Sequence, residues 1–535
     1  LDKIQKVSLA ERKAMTSPYG TWNQDKTKKL YSEDGALHLY DLKKDTSKEL
    51  IDLGGRLGNP TFLADEAQIA FEYDDNAYVL NTETGTLKKL TNIQSGKARE
   101  SREEKLSEKN QWLKDENLSL LQIVREREEQ DSLSKAYREM TADPEPYTYY
   151  HGDKQVAGLQ VGPKADFVTI MLMERDRGES TDVPNYVDAS GYTKNLRARS
   201  KVGEDKTEVF LAVYNIKKDT VYTVDTSTLP GITDLPDYTK DYPDKEWEEK
   251  EREVIVSQAI FSEDGSKAIV NVRSKDNKDR WIALLDLEDG SLETLDRQRD
   301  EAWIAGPGIG WSFGGGTLGW LPDNKHIYFQ SEASGYSHLY LLDVTTGTKK
   351  ALTEGEYEVF DPFLSNNKKS WFLTTSEVGP GERHFYKMPV MGGTMQKLTN
   401  LPGNNEVSLS PDEKYMAIRN SFSNKPWELY FKKTGSSKDA QQLTSGQSEA
   451  FQSYDWRVPE NITFKADDGA MVPARLYVPE ASVKNNAAVV FVHGAGYLQN
   501  AHKWWSSYFR EYMFNNMLTD LGYTVIDIDY RASAG

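Results

Sequence analysis

A chain of 535 residues is too long for one ordinary core, so two or three domains are expected. Its formal net charge of −18 argues against nucleic-acid binding, which needs a clustered Lys/Arg excess. No apolar stretch approaches the roughly eighteen residues that span a bilayer, and the absence of cysteine excludes disulfides, thiolate metal ligands and a thiol nucleophile.

In chain order, one hairpin pattern recurs from about residue 20: a strand, a polar tight turn usually holding Gly or Asp, and a second strand. Residues 39–51 are a loose copy. Residues 77–91, Ala-Tyr-Val-Leu-Asn-Thr-Glu-Thr-Gly-Thr-Leu-Lys-Lys-Leu-Thr, are a sharp one, and 339–353 nearly repeat it. Further copies lie at 282–295, 385–399 and 429–444, several of them ending in Leu-Thr. Gly and Asp supply the positive φ that such turns require. Upstream of several copies stands a second signature, as in Phe261-Ser-Glu-Asp-Gly265, Trp320-Leu-Pro-Asp323 and Leu409-Ser-Pro-Asp412. Together they describe four short strands in roughly forty residues, the pattern of a β-propeller blade. The fold class is therefore mainly β. Seven units are recognisable and an eighth, degenerate blade stays open. The propeller is expected over 1–450.

Some stretches break the rhythm. Residues 97–140 are highly charged and lack Gly and Pro, with Leu106, Leu113, Leu120 and Val124, then Leu133, Tyr137 and Met140, at helical spacing. They predict a long helix or helical hairpin inserted between blades, with Arg125-Glu-Arg-Glu-Glu129 as a solvated face. Residues 175–205 interrupt a blade, and 229–251, rich in Pro, Asp, Tyr and Glu, read as a surface excursion. The aromatic, Gly-rich segment 303–320 precedes a blade. There Trp311 and Phe313 are candidates for substrate contact, with simple packing as the alternative.

Residues 451–535 read as the beginning of an α/β-hydrolase domain. A strand, an Asp-Gly turn and another strand ending at Pro479 open it. Ala487-Ala-Val-Val-Phe-Val-His-Gly494 then gives a buried strand and a Gly-containing loop. An aromatic-rich helix follows, and a second buried strand, Tyr523-Thr-Val-Ile-Asp-Ile-Asp-Tyr-Arg531. The next feature of such a sheet is a G-x-S-x-G turn with the nucleophile. That motif does not occur in these residues. The nearest match, Gly315-Gly-Thr-Leu-Gly319, has Thr at the Ser position.

This arrangement resembles the prolyl oligopeptidase family of serine peptidases, and within it the dipeptidyl peptidase IV-like branch. The most specific pieces are Ser331-Glu-Ala-Ser-Gly-Tyr-Ser-His-Leu-Tyr340, Val492-His-Gly-Ala-Gly496 and Tyr530-Arg-Ala-Ser-Ala-Gly535. The resemblance implies a propeller capping the hydrolase domain and gating access for short peptides, with cleavage near the amino terminus and after Pro or Ala. Dipeptidyl, tripeptidyl and oligopeptidase action stay open. It implies a Ser-His-Asp triad beyond Gly535, so that this chain alone is expected to be inactive. It also places one side of an oxyanion hole at His493, Gly494 and Ala495, where a backbone N–H serves or His493 merely shapes the turn. The paired glutamates that hold a substrate's amino terminus in that branch are assigned provisionally to Glu128 and Glu129; Glu103-Glu104 and Glu248-Glu249 are the other pairs.

No cofactor and no metal site is expected. The expected partners are a peptide substrate, the remainder of the hydrolase domain, supplied by a second chain in one reading, and a second copy in a homodimer. A first residue of Leu suggests a removed leader and a periplasmic or secreted location, with a cytoplasmic one as alternative. The competing functional reading is a non-catalytic propeller that binds or scaffolds.

Overall fold

The repeated hairpins become sheets. The computed structural model describes residues 6–98, 106–141, 145–176, 178–204, 206–310, 316–494, 498–531 and 533–534. Among these, seven antiparallel sheets follow one another along the chain, at 21–52, 58–89, 155–223, 254–299, 318–351, 359–397 and 404–442. Six have four strands, and the fourth gains a short extra one, Ile260–Phe261. The fold is mainly β, a propeller followed by the start of an α/β-hydrolase sheet.

The recurrent Leu-Thr has a physical cause. In four blades the threonine hydroxyl accepts from an amide of the third strand: Ala77 to Thr91 (2.9 Å), Leu339 to Thr353 (3.1 Å), Phe385 to Thr399 (2.9 Å) and Leu429 to Thr444 (2.8 Å). The preceding Leu90, Leu352, Leu398 and Leu443 donate their amides to the carbonyls of the same four residues. Each Leu-Thr thus clamps the outermost strand to its blade, and at Ala77, Leu339 and Phe385 it satisfies a backbone donor that burial would otherwise penalise.

The Ser-Pro-Asp-like turns join first to second strands. Each carries one residue in the left-handed region, at φ between 50° and 67°: Lys26, Glu66, Ala165, Gly265, Asn324, Lys368 and Glu413. Asp264 and Asp412 hold their turns by accepting from Ser262 and Ser410 hydroxyls, both at 2.7 Å. The turns also touch from blade to blade, as in Asn23 Nδ2 to Glu66 (2.9 Å), Ala64 N to Pro163 O (2.9 Å) and Asp264 N to Asn324 (3.1 Å). Burial lowers the Lys26 ammonium of the first blade below the usual lysine value, and the charges of Lys368 and Glu413, in the sixth and seventh blades, act on it as well.

Apolar side chains fill the wedges between blades. Val213, Val256, Val270 and Trp281 do so between the third and fourth, and Leu339, Leu341, Trp371 and Leu373 between the fifth and sixth. The 229–251 segment is more than a surface excursion: Leu229 and Ile232 are buried in the first of these clusters, and Pro230 O accepts from Trp281 Nε1 at 3.0 Å. Beside it the fully buried Asp279 lies 2.7, 2.8 and 2.7 Å from Arg252, Arg297 and Arg299.

Between the second and third blades two helices leave the ring, Glu108–Leu120 and Gln122–Thr141. Ser107 caps the first by accepting from Asn110 N. The apolar stripe is not buried: Leu113, Leu120, Leu133 and Tyr137 are all exposed. In the third blade Phe167–Asp176 and Lys206–Asn215 pair along their whole length, and the hairpin Ser180–Asn185/Lys194–Ser200 is inserted at their turn.

The C-terminal sheet runs in the order Glu460–Lys465, Met471–Tyr477, Thr524–Ile528, Ala488–Val492. The last two are parallel, with Ala488 opposite Thr524 and Val492 opposite Ile528. The helix Phe509–Asp520 connects them and buries Tyr512 and Asn516. On the edge strand Val490 and Val492 are more than half exposed (55% and 58%), although the sequence pattern reads as buried.

Candidate active site

Parallel strands end side by side, so the loops that follow them meet. Ala488–Val492 runs into His493 and Gly494, and Thr524–Ile528 runs into Asp529 and Tyr530. Asp529 organises the meeting. Its Oδ1 accepts from Asn500 N at 2.7 Å and its Oδ2 from Ala501 N at 2.8 Å, while His493 Nε2 lies 3.3 Å from Oδ1. The same Nε2 is 3.1 Å from Ser533 Oγ, and Nδ1 is 3.2 Å from Gly494 O. The His493 ring stacks on Tyr530 with centroids 4.7 Å apart, and its side chain has no exposed surface. Gly494 is exposed, with open space where a Cβ would stand. At this crossing the imidazole faces inward and the backbone of Gly494 faces outward.

The strand that leads into Asp529, Thr524–Ile528, carries a second buried acid. Asp527 receives Arg475 at 2.7 Å and Asn515 Nδ2 at 2.8 Å, and burial raises its carboxyl above the usual range against the pull of Arg475. His502, stacked on Trp504 at 3.9 Å, is held well below the ordinary histidine value by burial and then by the charges of Arg475 and Arg383.

The propeller face that meets this loop carries the turns between second and third strands. Gln499 Nε2 donates to Pro380 O (2.8 Å), Lys503 N to Gly381 O (2.9 Å) and Trp505 N to Ser421 Oγ (3.2 Å). On the same face Glu332 is pushed up to about 7 by burial, then by the charges of Glu358 and Asp300. Glu358 is raised by burial, and its carboxylate accepts from Ser337 N at 2.6 Å.

The structure brings His493 and Gly494 together at the mouth of the hydrolase sheet. Ala495, Trp311 and Phe313 lie outside the described residues, as do Glu103 and Glu104. Glu128 and Glu129 are exposed on the helix Gln122–Thr141, and Glu128 pairs with Lys114 of the neighbouring helix at 2.6 Å. Glu248 and Glu249 are exposed too. His338, in the blade motif, is buried with Nδ1 2.9 Å from Thr353 Oγ1 and Nε2 2.9 Å from Gly355 O. No group of three or more His, Asp or Glu among the described residues is placed to hold a metal ion, and no helix among them is long and apolar enough to cross a membrane. Sequence reasoning missed Asp529 and Arg383. Asp527-Ile-Asp529 was a readable signal, because two acids at the end of a buried strand each need partners. Arg383 offered none, since its partner Gln499 is 116 residues away.

Residues 163–427 match the family model of the dipeptidyl peptidase IV N-terminal region. Dipeptidyl peptidase 4 of Trichophyton equinum is 22% identical over 390 residues, which are 70% of this chain and 47% of that protein. The chain thus spans about half the length of the curated relatives it matches. Among solved structures, dipeptidyl peptidase 4 of Porphyromonas gingivalis superposes with a TM-score of 0.57 at 16% identity, over 95% of this chain and 61% of that one. A dipeptidyl aminopeptidase IV-like protein of Bacteroides ovatus does so equally, with the same score and identity, over 95% and 63%.

Proposed function

Because this chain belongs to the dipeptidyl peptidase IV-like family, we propose that it is the propeller and the opening part of the catalytic domain of a serine peptidase. The enzyme cleaves short peptides near their amino terminus, after Pro or Ala, and the propeller gates their access. The observation that carries this reading is the crossing of the His493–Gly494 loop with the Asp529 loop beneath the propeller face. In an α/β-hydrolase a backbone N–H of this loop faces the carbonyl oxygen as it becomes an oxyanion. We assign that role to the main chain at Gly494 and Ala495. The His493 imidazole, committed to Asp529 and Ser533, shapes the loop.

The nucleophile, its general base and the acid that orients the base come from the remainder of the hydrolase domain. The edge strand Ala488–Val492 offers the place to receive it, because exposed Val490 and Val492 on an unpaired edge call for a further strand. Trp311 and Phe313 stay, on the sequence alone, as candidates for substrate contact. Glu128 and Glu129 stay as the provisional anchor of the substrate's amino terminus, although their exposure favours a solvated face. The proposed location is periplasmic or secreted.

The test compares fluorophosphonate labelling and release from Gly-Pro and Ala-Pro reporter substrates, with free and blocked amino termini. The protein with a completed hydrolase domain is expected to label and to prefer free amino termini, and this chain alone is expected to do neither. Labelling of the isolated chain overturns the assignment of the nucleophile to the remainder. A completed protein that binds peptides without labelling supports the scaffold reading instead.

A further inference from the structure

The segment 498–505 is held from two sides, and the two sets of bonds are one peptide apart. On the hydrolase side, Asn500 N and Ala501 N donate to Asp529, which also faces His493. On the propeller side, Arg383 Nη2 donates to Gln499 Oε1 at 2.8 Å. The Arg383 guanidinium also lies over Trp504 at 5.0 Å and over Phe360 of its own blade at 4.3 Å, while Nη1 donates to Pro380 O (2.9 Å) and Glu382 O (3.0 Å). Its backbone is fixed in turn, with Arg383 N donating to Gly403 O and Asn405 N and Nδ2 both donating to Arg383 O.

We propose that Arg383 is a positioning residue through which the propeller sets the oxyanion loop of the hydrolase domain. The inference rests on the function proposed above and names the part of the propeller that acts on the site. A planar guanidinium can stack and donate sideways at once, which an ammonium cannot. The turn 376–383 therefore grips Gln499 and Trp504 with one side chain, and the grip passes through a single peptide to the Asp529–His493 crossing. Ancillary contacts add to it. Lys503 Nζ reaches Glu382 at 2.9 Å, and at Gly381 a Cβ would stand 3.5 Å from His502 Cα and 2.9 Å from Asn461 Nδ2, so the turn approaches the loop closely.

The test has two readouts. In this chain, hydrogen exchange of amides 499–505 is measured for Arg383→Lys and for Gln499→Ala, with the strands of the third blade as internal control. Both variants are expected to exchange at least tenfold faster in the loop and unchanged in the control. In the completed peptidase the same variants are expected to lower kcat at least tenfold while KM stays within twofold, because geometry at the reacting carbonyl is lost and peptide entry is not. Gln499→Ala lies on the loop's surface and keeps the propeller intact, so it answers the question if Arg383→Lys fails to fold. Loop exchange unchanged in Gln499→Ala overturns the grip. Faster exchange with an unchanged kcat overturns its link to the site. A protein without peptidase activity refutes the proposed function, and the exchange readout still decides the grip.

Discussion

Replacing Asp529 by Asn keeps shape and removes charge, which makes it the cleanest probe of the candidate site. Each carboxylate oxygen accepts one backbone N–H, from Asn500 at 2.7 Å and Ala501 at 2.8 Å. An amide has only one oxygen, so its NH2 group must face one of these donors. One charge-assisted bond is lost, worth about 1.5–3 kcal/mol, and a buried N–H is left unsatisfied. The surviving bond becomes neutral and weaker. The attraction to His493 at 3.3 Å also falls. Local opening of the 498–505 loop is therefore expected to become easier by about 2–3 kcal/mol, or roughly 30- to 150-fold in amide exchange. Exchange read by mass spectrometry measures this directly, with amides of the fourth blade as reference. Asp468→Asn is the control, because its partner Arg531 is an exposed surface pair and should be worth under about 1 kcal/mol. Loop exchange in Asp529→Asn within twofold of the parent would refute Asp529 as the organiser.

Other outcomes follow from the same reasoning. Asp279→Asn leaves Arg252, Arg297 and Arg299 around a neutral group, and should cost about 3 kcal/mol and expose 229–251 to protease; cleavage there no faster than in the parent counts against it. Thr399→Val removes the acceptor of Phe385 N and should cost about 1–3 kcal/mol by denaturant unfolding, whereas an exposed Thr346→Val should cost little. Glu332, raised from 4.5 to about 7, binds its proton more tightly folded than unfolded, so its stabilisation is complete below pH 4.5 and is lost as pH rises through 7. Glu332→Gln should gain up to ~2 kcal/mol over the parent at pH 8 and nothing at pH 4, read from paired unfolding curves; the same difference at both pH values contradicts the sign. His502 is depressed, so the folded state resists protonation and stability falls as pH drops below 6.5. His502→Phe should flatten that fall, and an unchanged acid limb argues against it.

What the sequence disclosed and what it withheld divide along sequence separation. The blades were legible because each is built from neighbours. Leu90-Thr91 closes on Ala77, and Leu398-Thr399 on Phe385, so a short repeated string holds both donor and acceptor. Turn residues such as Gly265 and Asn324 were legible for the same reason, since φ is a local property. The helical insertion was visible as a periodic stripe, but periodicity alone does not say what covers a face, and Leu120 and Leu133 are bare. Likewise the pattern of 488–492 reads as a buried strand, and its exposure follows from its place at the sheet edge.

The candidate site is less legible because its parts come from remote segments. Val492-His493-Gly494 announced a loop, yet the direction of the imidazole is decided by Asp529 and Ser533, which arrive on another strand. Histidine in that motif could equally have pointed outward as a donor. A buried carboxylate that already holds two backbone amides makes the inward position the favourable one, since the ring then lies against a charge it complements. The outward position falls to the main chain. Arg383 extends the argument across the domain boundary: within its own blade its guanidinium stacks on Phe360 and donates through Nη1 to the turn carbonyls, and Nη2 donates to Gln499. A buried arginine with one bond that leaves its domain joins the rigidity of one fold to a loop of the other. In the proposed peptidase the propeller is then a structural part of the site.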